Sequence, residues 1–383
     1  HFRAPTPRAD GLSGRRTIRW NPEGCPANLP IGSMSMGTFR QPADARVEGV
    51  ISPMIRRGFD LSEDPDTGAR RAPLVPQGVL TGFVHAASIT GCIAAWHHGS
   101  WVLVVLLWMI IIWCNHAALT LLHEAGHGTL TRVRILNEAH GMLIGFASLI
   151  PLNVYRYVHA RHHAHLGRER DPEFWPYNLP CSSRALRLVY AWLELTLGWI
   201  VTPLLYSVRT ARSWSLVPRP RRRWILLEWA MLLIGWPVML VMLASRGWLD
   251  EFTIGFLIPA LGAGSMQTIR KFTEHLGMHG DTIMTMTRTV EYRGWIGRAL
   301  SRSQRHVDHH GTHHRYARIP FHDLPEATRL VHGNEHPTFR THLGAFRDML
   351  PHLLDPRVGP QWRASDGSCP VHGSENSESD GTR

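Results

Sequence analysis

The chain has 383 residues, a formal net charge of +11 and a mean hydropathy of -0.13. That length gives one large or two ordinary domains, and the mean hydropathy taken alone reads as a soluble protein. The average conceals a segregation: apolar residues are concentrated between about Val79 and Ile269, while both flanks are rich in Pro, Gly, Arg and Ser. The basic residues cluster beside apolar stretches and do not alternate with aromatic ones, so they are expected to face anionic lipid, and no nucleic-acid partner is expected.

In chain order, residues 1–75 read as a cytoplasmic N-terminal segment, partly disordered. Its opening HFRAPTPRAD lacks the apolar centre of a secretory signal, so no cleaved leader is expected. Val79 to Trp96 is a weak span and Ser100 to Leu122 a strong one, and the HHGS between them is short enough to force a transmembrane hairpin. A second hairpin reads from Trp224 to Ala244 and from Phe252 to Ile269. Two stretches between the hairpins are ambiguous. Ala139 to Leu152 is too short to cross and is expected to be re-entrant or buried. Ala185 to Ser207 is long enough, but it carries Arg187 and Glu194, and crossing would put the arginine-rich segment 209–223 outside, against the positive-inside rule. It is expected to lie along the cytoplasmic surface. The fold class is therefore an all-α membrane protein with about four transmembrane helices in two hairpins, with tails and a helical cap in the cytoplasm. The expected membrane domain covers residues 76–358, and 359–383 is expected to be a disordered tail.

Three histidine clusters carry the chemistry: HEAGH at His123 to His127, HARHH at His159 to His163, and HHGTHH at His309 to His314, with EHLG at Glu274 to Gly277. Imidazoles three and four residues apart share one face of a helix. Together they offer more nitrogen ligands than one tetrahedral zinc can use, which points to two metals sharing about eight or nine histidines. HEAGH alone matches the zinc-protease signature H-E-x-x-H, but a protease leaves the other two clusters without a task. A carboxylate-type diiron bundle needs a second Glu-x-x-His on another helix, and none is usable. A transporter would place its histidines within the spans rather than at their ends, and metal storage needs no such convergence. Isolated histidines such as His97, His140, His332 and His352 read as surface or capping residues. The five scattered cysteines, Cys25, Cys92, Cys114, Cys181 and Cys369, argue against structural disulfides and against an iron–sulfur or rubredoxin-type carrier within the chain, so electrons must come from another protein.

Between about Val79 and Leu330 these ordered boxes, with their matching spans, resemble the membrane fatty-acid desaturase and hydroxylase superfamily of non-haem diiron enzymes. The resemblance implies metal ligands at His123 and His127, then His159, His162 and His163, then His310, His313 and His314, with a further ligand at His275 after the last span. The third box is ambiguous in the sequence, because His306, His309 and His310 repeat the spacing of His310, His313 and His314. The second triplet is preferred because Pro320 and Leu324-Pro325 follow it as they do in desaturase-like boxes. Asp171-Pro172-Glu173 also resembles members acting on acyl chains. Glu124, Asp171, Glu274 and Asp308 are candidates to orient the ring N–H groups.

The resemblance further implies two ferrous ions (Fe2+), O2 as co-substrate, a lipid or acyl substrate, and an external electron donor of ferredoxin, rubredoxin or cytochrome type. Zinc cannot supply electrons to O2, whereas iron can. The expected location is the inner membrane if the chain is bacterial, with the site facing the cytoplasm. Desaturation is the leading expectation. Hydroxylation begins with the same hydrogen abstraction and is the nearest alternative, because EHLG and QRHVDHH resemble alkane hydroxylases, while HARHH and HHRYARIPFHDLP look more like desaturases. Oxidative decarboxylation or oxidation of a carotenoid ring is also open to this scaffold.

Overall fold

A computed structural model of the chain describes residues 78–331 and 337–364. The expected N-terminal segment and most of the expected C-terminal tail lie outside the described residues. The described part is helical, with one short parallel strand pair.

Helices α1 (Val79–His97) and α2 (Trp101–His127) form the first hairpin, turning at Gly99 in the left-handed region. Cys92 and Ala95 pack there against Val104 and Ile111. Helix α2 changes character along its length: Val102, Leu106 and Met109 are exposed, whereas almost every residue from Cys114 to Ala125 is buried. Its apolar outer half has only lipid to face, and its polar inner half is enclosed by protein. Gly128, at φ 79, ends the helix directly after His127, with its own N–H on Ala125 and the Thr129 N–H on the Glu124 carbonyl.

Helices α3 (Arg134–Ala147) and α4 (Leu152–His165) meet at 97° across Ser148 to Pro151, the geometry of a broken span or a re-entrant loop. Ser148 to Pro151 falls within the stretch expected to turn back or be buried. Proline disfavours helical backbone in the residue before it, so the break is encoded locally.

Five helices are long and apolar enough to cross a membrane, or six if α3 and α4 count as one span. Four of the five correspond to the expected spans: α1, α2, α6 (Arg219–Ser245) and α7 (Leu249–His275). The fifth, α5 (Arg184–Arg212), contains the stretch expected to lie on the surface. It is not a straight rod, because its backbone leaves helical values at Leu197. The Trp175 ring contacts Tyr190 at 4.9 Å and the Arg209 guanidinium at 5.0 Å. A straight helix would hold those two residues about 28 Å apart, beyond the reach of one tryptophan. Each arm of the bent helix is about 20 Å long, short of a hydrocarbon core of about 30 Å.

One face of α5 exposes Leu186, Val189, Leu193, Leu197, Ile200, Leu204 and Val208 at helical spacing, and the other buries Arg187, Ala191, Glu194 and Gly198. The buried charges are paired. Glu194 meets Lys271 of α7 at 2.7 Å and accepts the Tyr177 hydroxyl at 2.8 Å. The helices cross closely at Gly264, where a side-chain carbon would lie 2.3 Å from the Trp199 nitrogen, so only glycine permits the contact.

Beyond α7 follow strand β1 (Thr289–Val290), α8 (Trp295–Ser303), α9 (His310–Arg315), α10 (Leu324–Val331), strand β2 (Thr338–Phe339), α11 (His342–Met349) and α12 (Gln361–Ala364). Helix α8 exposes Trp295, Ile296 and Leu300. It is tied to α2 by Trp113 Nε1 donating to Ser303 Oγ at 3.2 Å, and His116 Nδ1 lies 2.8 Å from the following Gln304.

Two expectations are corrected here. Structured chain runs past 358: Trp362 is buried, donates to the Tyr177 carbonyl at 2.9 Å and lies between the guanidiniums of Arg187 and Arg357, each 4.7 Å away. A lone indole in a polar stretch finds one cationic partner, Arg187, far away in sequence, which no local pattern announces. Cys181 is disulfide-bonded, whereas Cys92 and Cys114 are free and buried. Scattered spacing excludes a compact disulfide framework but not a single bond distant in sequence.

Candidate metal centre

The histidines arrive from four elements. His123 and His127 lie one turn apart at the end of α2, and His159, His162 and His163 on the last turns of α4. His275 is the final residue of α7, and His310, His313 and His314 lie on the short α9. All nine side chains come together. His123, His127, His159, His163 and His313 place one ring nitrogen each within 4.8 Å of one another, and so do His162, His275 and His314. His310 joins the second group through His275, with the two Nε2 atoms 2.7 Å apart, and lies 3.0 Å from His314 by the same atoms. His163 and His314 stack at 4.2 Å between centroids and link the groups.

The outer nitrogens reveal which way the rings are set. His123 Nδ1 lies 3.2 Å from Glu124, His159 Nδ1 3.1 Å from Glu173, His162 Nδ1 2.8 Å from Asp171, and His275 Nδ1 3.1 Å from the Met286 carbonyl. A carboxylate or carbonyl only accepts, so each of these Nδ1 atoms carries the proton and leaves an Nε2 lone pair directed inward. The Nε2 atoms of His123, His127 and His313 are buried without a hydrogen-bond partner. Burial holds His163, His313 and His314 well below the usual imidazole range, so they are neutral near pH 7. For His162, burial is the largest single influence and opposes protonation, but the Asp171, Glu173 and Glu274 charges and the Asp171 hydrogen bond together outweigh it and raise the pKa. The unpartnered Nε2 atoms of His123, His127 and His313, converging in a buried site, are costly unless a cation receives them. The residues present therefore fit a pair of metal ions.

The four carboxylates singled out in the sequence part company. Asp171 accepts His162 Nδ1, the Gly167 N–H and, through its other oxygen, the Glu173 N–H. Glu124 contacts the outer nitrogen of its neighbour His123 and takes the Thr129 hydroxyl at 2.6 Å, so it is engaged away from the inward-facing nitrogens. Glu274 is paired with Arg270 at 2.8 Å and reaches to 3.5 Å from His310 Nε2, on the side of the inner nitrogens. Asp308 accepts Ser301 Oγ at 2.8 Å and braces the loop before α9; burial pushes its pKa up to about 6. Glu173 was not singled out as an orienting group, although it stands two residues after Asp171. Its signal was the Asp-Pro-Glu turn itself, in which Asp171 captures the Glu173 N–H.

The alternative third triplet is turned elsewhere. His306 Nδ1 meets Ser301 Oγ at 2.7 Å and His309 Nδ1 meets Thr328 Oγ1 at 2.9 Å. Neither belongs to the converging groups found among the described residues. Arg305 and His306 both adopt left-handed backbone, at φ 57 and φ 51, which breaks the helical path that would have put both triplets on one face.

Beside His159 lies a small cleft bounded by Leu119 and Leu122 of α2, Ile150, Tyr155 of α4, Glu173, Thr202 and Tyr206 of α5, and Gln267, Thr268, Arg270 and Lys271 of α7.

Comparison with known proteins gives a consistent picture. Residues 99–343 match the family described as Fatty acid desaturase. Two curated relatives match over short stretches. An omega-6 fatty acid desaturase, endoplasmic reticulum isozyme 2, from Glycine max is 34% identical over 86 residues, covering 20% of this chain and 22% of the relative. An omega-3 fatty acid desaturase, endoplasmic reticulum, from Nicotiana tabacum is 30% identical over 97 residues, covering 25% of each. The chain thus spans about a quarter or less of the length of these relatives.

Proposed function

This chain belongs to the fatty acid desaturase family, and from that premise we propose that it is an O2-dependent membrane oxidoreductase that desaturates a fatty acyl or related lipid chain. The observation that carries the reading is the convergence of nine buried or half-buried histidines: His123, His159, His162 and His275 set Nδ1 against an oxygen, and the Nε2 atoms of His123, His127 and His313 are unpartnered. The ligands proposed are His123, His127, His159, His163 and His313 for one ion and His162, His275, His310 and His314 for the other, with Glu274 beside the second. Iron bound there would supply the one-electron chemistry with O2 that removing hydrogen from an unactivated methylene requires.

The chain's own residues supply position and exclusion. Asp171, Glu173 and the Met286 carbonyl fix ring orientation, which secures ligand geometry. Burial of both clusters keeps bulk water from the reacting carbon. The cleft beside His159 is proposed as the place of the lipid chain, entered from the side of Leu119 and Leu122. Four spans, α1, α2, α6 and α7, with α5 bent at the surface, put every cluster on one face, proposed to be cytoplasmic. The electrons are proposed to come from a separate small redox protein. Glu124, engaged by Thr129 and His123, is poorly placed as the general base of a zinc protease, which weighs against that alternative.

The decisive experiment is mass-spectrometric profiling of lipids and hydrocarbons in cells making the intact chain or its His162→Ala variant. Products two hydrogens lighter that vanish in the variant are the expected result. Products heavier by one oxygen would move the assignment to hydroxylation, loss of carbon dioxide to decarboxylation, and identical profiles would reject the proposal.

A further inference from the structure

We propose that Arg156 and Arg288 are positioning residues of the metal centre, each seating one of the two histidine groups. The proposal rests on the metal reading above. The last carbonyls of a helix have no partner within it, so a side-chain donor can fix where the helix ends and where its final residues stand. At the end of α2 that donor is Arg156 of α4: Nε donates to the Gly126 carbonyl at 3.0 Å and one terminal nitrogen to the Ala125 carbonyl at 2.8 Å. These two carbonyls immediately precede His127. The guanidinium is itself held by Glu138 of α3, which accepts from both terminal nitrogens at 3.0 and 2.9 Å. Arg156 stands three residues before His159, on the same face of α4. It therefore ties His127 to His159, whose rings lie 5.0 Å apart within the group of five. The helices approach closely here, since a side-chain carbon at Gly126 would meet the Tyr155 ring at 3.1 Å.

Arg288 does the same for the other group. One terminal nitrogen donates to the Thr273 and Leu276 carbonyls at 3.2 and 2.7 Å, on either side of His275 at the end of α7, while Nε donates to Asp348 of α11 at 2.7 Å. Its backbone N–H donates to the Glu274 carbonyl at 2.8 Å. Two residues earlier, the Met286 carbonyl accepts from His275 Nδ1. One residue later, the Thr289 hydroxyl accepts the N–H of Gly311, next to His310, at 3.0 Å. The segment from Met286 to Thr289 thus joins His275 to His310, whose Nε2 atoms lie 2.7 Å apart. Arg288 is 2% exposed, so its bonds to these carbonyls are shielded from competing water. An ammonium on a flexible stem cannot reproduce a planar fork spread over two carbonyls and a carboxylate, so lysine in either place keeps the charge and loses the geometry.

The test uses the full chain loaded with ferrous 57Fe, read by chelator competition, Mössbauer spectroscopy and thermal unfolding in detergent. Arg156→Lys is expected to weaken one iron by roughly 10- to 100-fold and change its quadrupole splitting, leaving the other iron near wild type. Arg288→Lys is expected to do the same to the other iron alone. Glu138→Ala and Asp348→Ala remove the anchor but keep the arginine, and each is expected to shift the matching iron by roughly 2- to 10-fold. A merely structural role would lower the unfolding temperature and move both irons together, or neither. The proposal is overturned, while the wild type still holds two irons, by a lysine variant with both irons at wild-type values. It is equally overturned if the two lysine variants act on the same iron, or on both irons alike. If a lysine variant fails to fold, the anchor variants decide by the same criterion. A wild type that binds no iron removes both this proposal and the reading beneath it.

Discussion

Asp171 is the most informative single position to perturb. It is 1% exposed and accepts His162 Nδ1 at 2.8 Å, the Gly167 N–H at 2.8 Å and the Glu173 N–H at 2.9 Å. In Asp171→Asn the one remaining oxygen can keep His162 and Gly167, but the amide NH2 then faces the Glu173 N–H. One buried donor is orphaned, a loss of about 1–3 kcal/mol. Asp171→Ala strands all three donors, about 3–6 kcal/mol once non-additivity between neighbours is allowed for. Against a domain stability of about 5–15 kcal/mol, the Asn variant should fold and the Ala variant should stand near the threshold. Loss of the charge on His162 should weaken one iron by roughly 10- to 100-fold. Thermal unfolding in detergent, with and without iron, reads the first effect, and ferrous-iron competition with a chelator reads the second. An Asp171→Asn chain that retains both irons at wild-type chelator concentrations would refute the reasoning, because it would mean that the carboxylate charge adds nothing to the hydrogen bond that an amide oxygen also makes.

The third histidine box is tested by iron content: His313→Ala and His314→Ala should lose iron, while His306→Ala and His309→Ala should keep it, and the reverse pattern would restore the other triplet. Glu124→Gln should leave a partial activity through a loosened His123, whereas near-complete loss together with one tightly bound zinc per chain would revive the protease. Cysteines placed at Ser215, Glu169 and Arg302 should label from one side of the membrane only; labelling of Ser215 from the opposite side would mean that α5 crosses. Glu194→Ala leaves Lys271 buried and unpaired, so it should destabilise the fold by about 3–5 kcal/mol in a denaturation assay, and a change within about 0.5 kcal/mol would show that the pair is solvated.

The sequence reading was strongest where a period or a steric rule acts locally. His123 and His127 share a face because α2 has a helical repeat, and the HHGS turn made a hairpin of α1 and α2 because four residues allow little else. The charges Arg187 and Glu194 marked α5 as unlike its neighbours, although their partners, Asp355 and Lys271, lie far away in sequence. The choice between the two third-box triplets depends on backbone at Arg305 and His306 that no propensity favours. Glu173 was hidden for a different reason: its place beside His159 depends on a turn made by the side chain of Asp171. Trp362 was misjudged because its hydrogen bond to Tyr177 and its contact with Arg187 are long-range and its local sequence is polar.

The tether between α8 and α2 has one more consequence. Trp295, Ile296 and Leu300 suit α8 to rest at the level of the lipid headgroups, and the ties of Ser303 to Trp113 and of Gln304 to His116 fix that level on α2. From there to His123 the helix rises about 10 Å. Helix α2 thus sets a fixed distance between α8 at one mark and the first histidine pair at another; if the proposed lipid substrate keeps its polar end at the level of α8, that distance acts as a ruler. The carbon that reacts would then be counted from the headgroup, and adding or removing one turn of α2 between His116 and His123 would move the new double bond along the chain.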